Sequence, residues 1–179
     1  LRVPVAVGRR LSAADAAPAT RSELLALLDE CALSCARARI AELLGRRDYT
    51  SLEVSQRLRE EGYRDSVAGE ALAWARECGL VDDARYGAAF ARSKVLSGWG
   101  RLRVERELER RGVDPGAIAG WPEEFTDGED ERSRALALAS RRRLTGRNDY
   151  QKVARFLVGR GFSYGVASDV AREVVGSAD

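Results

Sequence analysis

Val54-Ser55-Gln56-Arg57-Leu58-Arg59-Glu60-Glu61-Gly62 is matched by Val104-Glu105-Arg106-Glu107-Leu108-Glu109-Arg110-Arg111-Gly112, and again by Val153-Ala154-Arg155-Phe156-Leu157-Val158-Gly159-Arg160-Gly161. Each stretch is Val, three residues, Leu, three residues, Gly, and the glycine is followed at once by an apolar residue: Tyr63, Val113 or Phe162. Val and Leu four apart share one helix face. A glycine past the last turn can take the left-handed conformation that closes a helix, with the next apolar side chain folded back onto it. The pattern therefore reads as the end of an amphipathic helix, written three times.

The flanks repeat as well. Thr50, Gly100 and Asp149 stand four residues before each Val as helix openers, and Thr50 with Glu53 forms a capping box. Beyond each glycine, Asp65, Asp114 followed by Pro115, and Ser163 are the N-caps expected for a third helix. Those helices carry Val67, Ala71, Trp74 and Cys78 in the first copy and Val166, Val170 and Val174 in the last. In the second copy Pro122 cuts short the helix of Ile118 and Trp121. First helices are expected over Glu30–Leu44, Asp83–Leu96 and Glu129–Leu144, the first extended backwards through Leu28 and Leu24 to a Thr20/Glu23 capping box.

The expected fold is all-α: three tandem three-helix repeats in an elongated, curved array. The expected divisions are a disordered tail over 1–20, repeat one with an N-terminal helical extension over 21–82, repeat two over 83–127, and repeat three over 128–179. The acidic stretch Glu123–Glu131 reads as a linker leading into the next helix, since it lacks the alternating ligand spacing of a calcium loop.

A hydrophobic fraction of 45% supplies a core and 32% charged residues supply a wet surface, with no apolar run long enough to span a membrane. The apolar stretch of the tail is too short and interrupted for a signal peptide, so a cytoplasmic protein is expected. Cys31, Cys35 and Cys78 read as reduced, buried small hydrophobes, because three thiols without a single histidine make a poor metal site.

Catalysis finds little footing. There is no histidine, no glycine-rich phosphate loop with a lysine, and no nucleophile beside a base. Asp82-Asp83, with Glu77 nearby, could hold magnesium in a nuclease, but an aspartate after Gly79-Leu80-Val81 more simply caps the next helix. The chain is read as a binding protein, with no catalytic residue, metal or cofactor. Gly98-Trp99-Gly100 reads as a tight turn between helices, leaving Trp99 as a surface-contact candidate.

The net charge of +2 conceals local segregation. With the Val104–Leu108 stripe buried, Arg103, Arg106 and Arg110 cluster on the opposite face, and the equivalent positions in copy three are Lys152, Arg155 and Gly159. Copy one has Glu53, Gln56 and Glu60 there. Arg141, Arg142, Arg143 and Arg147 add charge near the helix opening in copy three. These basic groups are the candidate nucleic-acid contacts; solvated helix charge is the alternative. Neither face is expected to carry much stability.

The stretch from about Cys31 to Val175 resembles the RecX family of regulatory proteins. Gly79-Leu80-Val81-Asp82-Asp83-Ala84-Arg85-Tyr86 is similar to the family's Gly-hydrophobic-hydrophobic-Asp-Asp-x-Arg-aromatic signature. Gly98-x-Gly100, Glu107-Leu108 and Arg111-Gly112 follow at the family's spacing, and Tyr49–Val54 with Leu58 and Gly62 match its first repeat. Tyr86, Gly87 and Arg101 depart from the commoner phenylalanine, alanine and proline. The signature residues Gly79, Asp82, Asp83, Arg85, Tyr86, Gly98, Gly100 and Gly112 are read as structural. The resemblance implies a modulator that lodges in the helical groove of the RecA–single-stranded DNA filament and inhibits its ATP hydrolysis, strand exchange and coprotease activity. The expected partners are the RecA recombinase filament and single-stranded DNA, with double-stranded DNA a further candidate, and the expected state is a monomer. The alternative is a helical repeat protein that binds DNA or RNA directly, without a filament.

Overall fold

The computed structural model describes residues 3–13, 18–125 and 130–176. Among these residues there are nine α-helices, two short 3-10 turns and no strand: α1 Val5–Ala13, α2 Arg21–Leu44, α3 Ser51–Glu60, α4 Asp65–Glu77, α5 Asp83–Leu96, α6 Arg101–Arg110, α7 Glu131–Ser140, α8 Asp149–Arg160 and α9 Tyr164–Gly176. The chain forms two compact units, Leu1–Tyr86 and Gly87–Asp179, the boundary falling within α5.

The three Val…Leu…Gly stretches end their helices in the same way. Gly62, Gly112 and Gly161 have φ of 91°, 73° and 94°. In each copy the glycine N–H donates three residues back, to Arg59, Glu109 or Val158. The next residue's N–H donates five back, to the carbonyl of Leu58, Leu108 or Leu157. That pair of bonds is the Schellman closure, and it turns Tyr63, Val113 and Phe162 into the core. Val54, Leu58, Val104, Leu108 and Leu157 are fully buried, so the stripe faces inward in every copy.

In the first unit α3 packs with α2 and α4 around Ile40, Val54, Leu58, Ala71 and Ala75. The capping box at Thr50 is complete, and Thr50 itself is fully buried. In the second unit α7, α8 and α9 enclose Ala135, Ala139, Val153, Leu157, Phe162, Ala167 and Val170. The many alanines let these helices approach closely.

Several expectations need correction. The N-terminal tail, expected to be disordered, contributes α1, whose Val7 is fully buried against α2 in the first core; positions 1–2 and 14–17 lie outside the described residues. Helix four starts one residue earlier than Asp65 would require as a cap: Arg64 is the N-cap, without a side-chain capping bond, and Asp65 is the first helical residue. The third helix of copy two is reduced to the 3-10 turn Pro115–Ala117, capped by Asp114. Gly116 weakens the segment and Gly120, at φ 72°, lies in the left-handed region that ends a helix, so no longer segment forms. The first helix of copy three ends at Ser140, so Arg141–Arg143 lie in a connecting turn. Cys78 is exposed at the end of α4, while Cys31 is buried and Cys35 half-buried. At Thr20 only half the box forms: its side chain accepts from the Glu23 N–H, but Glu23 returns to the Ala19 N–H. Of the acidic linker, Glu123–Phe125 form a 3-10 turn with Phe125 buried, and Asp130 caps α7; Thr126 to Glu129 lie outside the described residues.

Candidate nucleic-acid interface

The Gly79–Tyr86 signature organises helix ends. Gly79, at φ 67°, closes α4, and its carbonyl accepts from the Arg85 guanidinium at 3.3 Å. Asp82 accepts the Arg85 backbone N–H at 2.9 Å and so caps its own helix, α5. Asp83 turns elsewhere: its carboxylate takes the Ser51 N–H at 2.7 Å, the first free donor of α3. Glu131, in the first turn of α7, likewise accepts the Arg101 N–H that opens α6. Asp83 and Glu131 thus each lend a carboxylate to a helix start about thirty residues upstream. Both aspartates are engaged by backbone donors, the geometry of helix caps. Asp83→Ala is expected to cost about 1.5–3 kcal/mol, as the half-buried Ser51 N–H loses a charged partner, and exposed Asp82→Ala about 0.5–2 kcal/mol. Equal urea midpoints for Asp83→Ala and the unmodified protein would refute this assignment.

The Gly98-Trp99-Gly100 turn delivers α6 onto the end of α8. The Gly100 and Leu102 N–H groups donate to the carbonyls of Arg160 and Gly161 at 2.9 and 3.1 Å. Unsatisfied donors at one helix start thus meet unsatisfied acceptors at another's end. Arg103 adds a bond to the Gly159 carbonyl at 3.2 Å, and Arg160 one to the Ser97 carbonyl at 3.3 Å. Arg134, from α7, closes α5 by donating to the Val95 and Trp99 carbonyls. Trp99, expected at the surface, is half-buried, beneath Arg103 at 3.9 Å and edge-on to Phe90.

This junction forms one wall of a groove of about 540 Å³. Arg103, Arg106 and Arg110 line it from α6, with Leu102 beside them; Val158 and Gly159 line it from α8, and Tyr164 from the start of α9. All three arginines are exposed. Arg106 has no ion-pair partner among the described residues, and the partners of Arg103 are a carbonyl and an indole ring, so both charges stand unneutralised. Glu107 is the one carboxylate of the lining; Arg110 and Arg111 bind it at 2.7 and 3.0 Å and hold its carboxyl down at about 2. The basic helix face read from the sequence is therefore one wall of a real concavity.

The copy-three charges lie along α8. At about 100° per residue Lys152 and Arg155 share a face with Val158 and Gly159. Arg155 has no ion-pair partner among the described residues, whereas Lys152 donates to Thr145 at 2.6 Å and pairs with Asp149. Asp149 caps the turn before its helix, accepting the Thr145 and Gly146 N–H groups, which lower its carboxyl against the burial that opposes them. Arg141, Arg142, Arg143 and Arg147 are exposed on the α7–α8 turn, Arg142 lying over the Phe156 ring at 4.3 Å. From that turn to the groove is about 18 Å along α8. In copy one Glu53 is spent on its capping box and on Arg47, and Glu60 pairs with Arg57. Two expectations about stability change accordingly: Arg103 and Glu53 both anchor structure.

The family model for the second three-helix domain of RecX matches residues 82–120, and that for the third matches residues 129–171. A regulatory protein RecX from Halorhodospira halophila is 34% identical over 142 residues, 76% of this chain and 84% of that relative. The chain belongs to the RecX family. A second RecX regulatory protein, from Mycolicibacterium vanbaalenii, is 36% identical over 151 residues, covering 75% of this chain and 79% of its own length. The fold agrees with the crystal structure of RecX from Lactobacillus salivarius, with a TM-score of 0.65 at 18% identity over 80% of this chain and 97% of the other. A second RecX crystal structure gives 0.67 at 20% identity over 95% and 84%.

Within the RecX fold the departure at Gly87 has a physical reason. A Cβ there would stand 2.7 Å from the Ile118 side chain and 2.9 Å from that of Val113, so these two side chains occupy the space of an alanine methyl. Sequence reasoning missed Arg134 and Tyr164. Arg134 had no local signal, since the carbonyls it binds lie 35 and 39 residues upstream. Tyr164 had one: an aromatic residue just after a helix N-cap, off the Ala167–Val170–Val174 stripe.

Proposed function

We propose that this RecX-family regulatory protein binds the filament that the RecA recombinase forms on single-stranded DNA, and slows its ATP hydrolysis, strand exchange and coprotease activity. The observation that carries this reading is the groove beside α6. Arg103, Arg106 and Arg110 share it with exposed Leu102, Val158 and Tyr164, so one surface offers charge for phosphate and apolar area for protein. Lys152, Arg155 and the Arg141–Arg143 and Arg147 turn extend the phosphate-contacting side, while copy one faces protein or solvent. The protein acts as a cytoplasmic monomer without a cofactor. No helix among the described residues is long and apolar enough to cross a membrane.

The test is the ATPase of a cognate RecA on single-stranded DNA. Addition of this protein at near-stoichiometric amounts is expected to slow hydrolysis. An unchanged rate at saturating concentration, together with tight binding to naked DNA or RNA, would instead establish direct nucleic-acid binding without a filament.

A further inference from the structure

Tyr164 opens α9, is 74% exposed and is one of the residues lining the arginine groove. Leu102 and Val158, 46% and 45% exposed, are the apolar parts of the same lining. Between them Gly159 contributes no side chain, and a Cβ built on it would meet nothing within 4 Å, so the groove is open there. The groove therefore presents two chemistries together, a row of guanidinium groups and a set of apolar surfaces that includes an aromatic ring.

Duplex DNA satisfies only the first. Its phosphates face outward while its bases are stacked and paired inside. An unpaired strand offers both, alternating phosphate with a base whose face is free to stack. Arg103, Arg106 and Arg110 follow one another at about 4.5 and 6 Å along the helix axis, a spaced row that suits a chain carrying a charge on every unit. We infer that this groove is a stacking site for single-stranded nucleic acid, taking a phosphate on Arg106 and the neighbouring base on the Tyr164 ring, with Leu102 and Val158 as the apolar sides. The inference rests on the nucleic-acid part of the function proposed above and deepens it: the groove distinguishes an unpaired strand from a duplex. An acidic peptide would satisfy the arginines but needs carboxylates at matching spacing, and it leaves the ring without a flat partner.

The experiment compares fluorescence anisotropy of a labelled oligothymidylate with that of an abasic strand of the same length, using the full chain, Tyr164→Ala and Tyr164→Phe. Tyr164→Ala is expected to weaken binding of the oligothymidylate about 5- to 150-fold, the range of one stacked base. The abasic strand should bind both proteins equally, the salt slope should be unchanged, and Tyr164→Phe should bind like the unmodified protein. An equal loss on both strands, or no loss on either, overturns the inference, as does a protein that binds neither strand. Tyr164-dependent binding of an aspartate-rich peptide with no Tyr164 dependence on DNA overturns it in favour of a protein partner. If the stacking result holds while RecA hydrolysis is unaffected, the filament reading fails alone. If RecA hydrolysis slows but Tyr164 proves indifferent to bases, the stacking site fails alone.

Discussion

Replacing Gly161 with alanine is expected to destabilise the protein by about 3–5 kcal/mol, while the same change at Gly62 costs roughly 1–2 kcal/mol. Both glycines close a helix at a φ above 90°, and both would carry the strain of a Cβ in the left-handed region. They differ in what surrounds them. A Cβ on Gly62 meets nothing within 4 Å, but one on Gly161 would overlap the Arg103 Cβ and stand 2.6 Å from the Arg103 backbone nitrogen. Gly100 supplies the third case. Its φ of −77° suits any residue, yet a Cβ there would overlap the Gly161 carbonyl and stand 2.5 Å from the Phe162 nitrogen. Gly100→Ala is therefore a purely steric lesion. It forces apart the Gly100 and Leu102 bonds to α8, for about 2–4 kcal/mol. Losses of this size are a large share of the 5–15 kcal/mol typical of a domain. Urea titration of the three variants orders them as Gly161, Gly100, Gly62. A Gly62→Ala loss equal to that of Gly161→Ala would show that backbone strain alone, and not the α6–α8 approach, makes the motif glycine necessary.

A variant with Arg106, Lys152 and Arg155 all changed to alanine is expected to bind single-stranded DNA on the order of a hundredfold more weakly at about 0.1 M salt. Each phosphate contact releases counterions, so losing three flattens the log-affinity against log-salt slope by about 2. These positions are chosen because they are exposed and stand clear of the helix junction. Arg103 is left in place because its bond to Gly159 and its stacking on Trp99 would confuse binding with stability. Glu60→Ala in copy one is the control, with little effect expected on either slope or melting temperature. A salt titration that leaves the slope of the triple variant unchanged would show these charges to be merely solvated. The Arg141–Arg143 turn would then be the next surface to alter.

The sequence by itself determined α2 to α9, their inward faces and the way three of them end, but neither α1 nor the shrinking of copy two's third helix to a 3-10 turn. All of that chemistry acts within about five residues: Val and Leu on one stripe, the Gly with its apolar follower, Thr50 with Glu53. The acidic–basic contrast between copies was legible for the same reason, because helical spacing fixes which side chains share a face. The tertiary structure alone decided where those faces lead. Asp83 reads locally as a cap for its own helix, yet it serves Ser51, 32 residues away. Gly100 reads as a turn residue, yet it is required by a backbone approach to Gly161, which no local pattern encodes. The arginine face of α6 became one side of a groove because α8 ends and α9 begins opposite it. Partners separated by thirty to sixty residues are chosen by how packed helices meet, and that depends on the volumes of buried side chains such as Ala135, Leu157 and Phe162 and not on any pairwise motif.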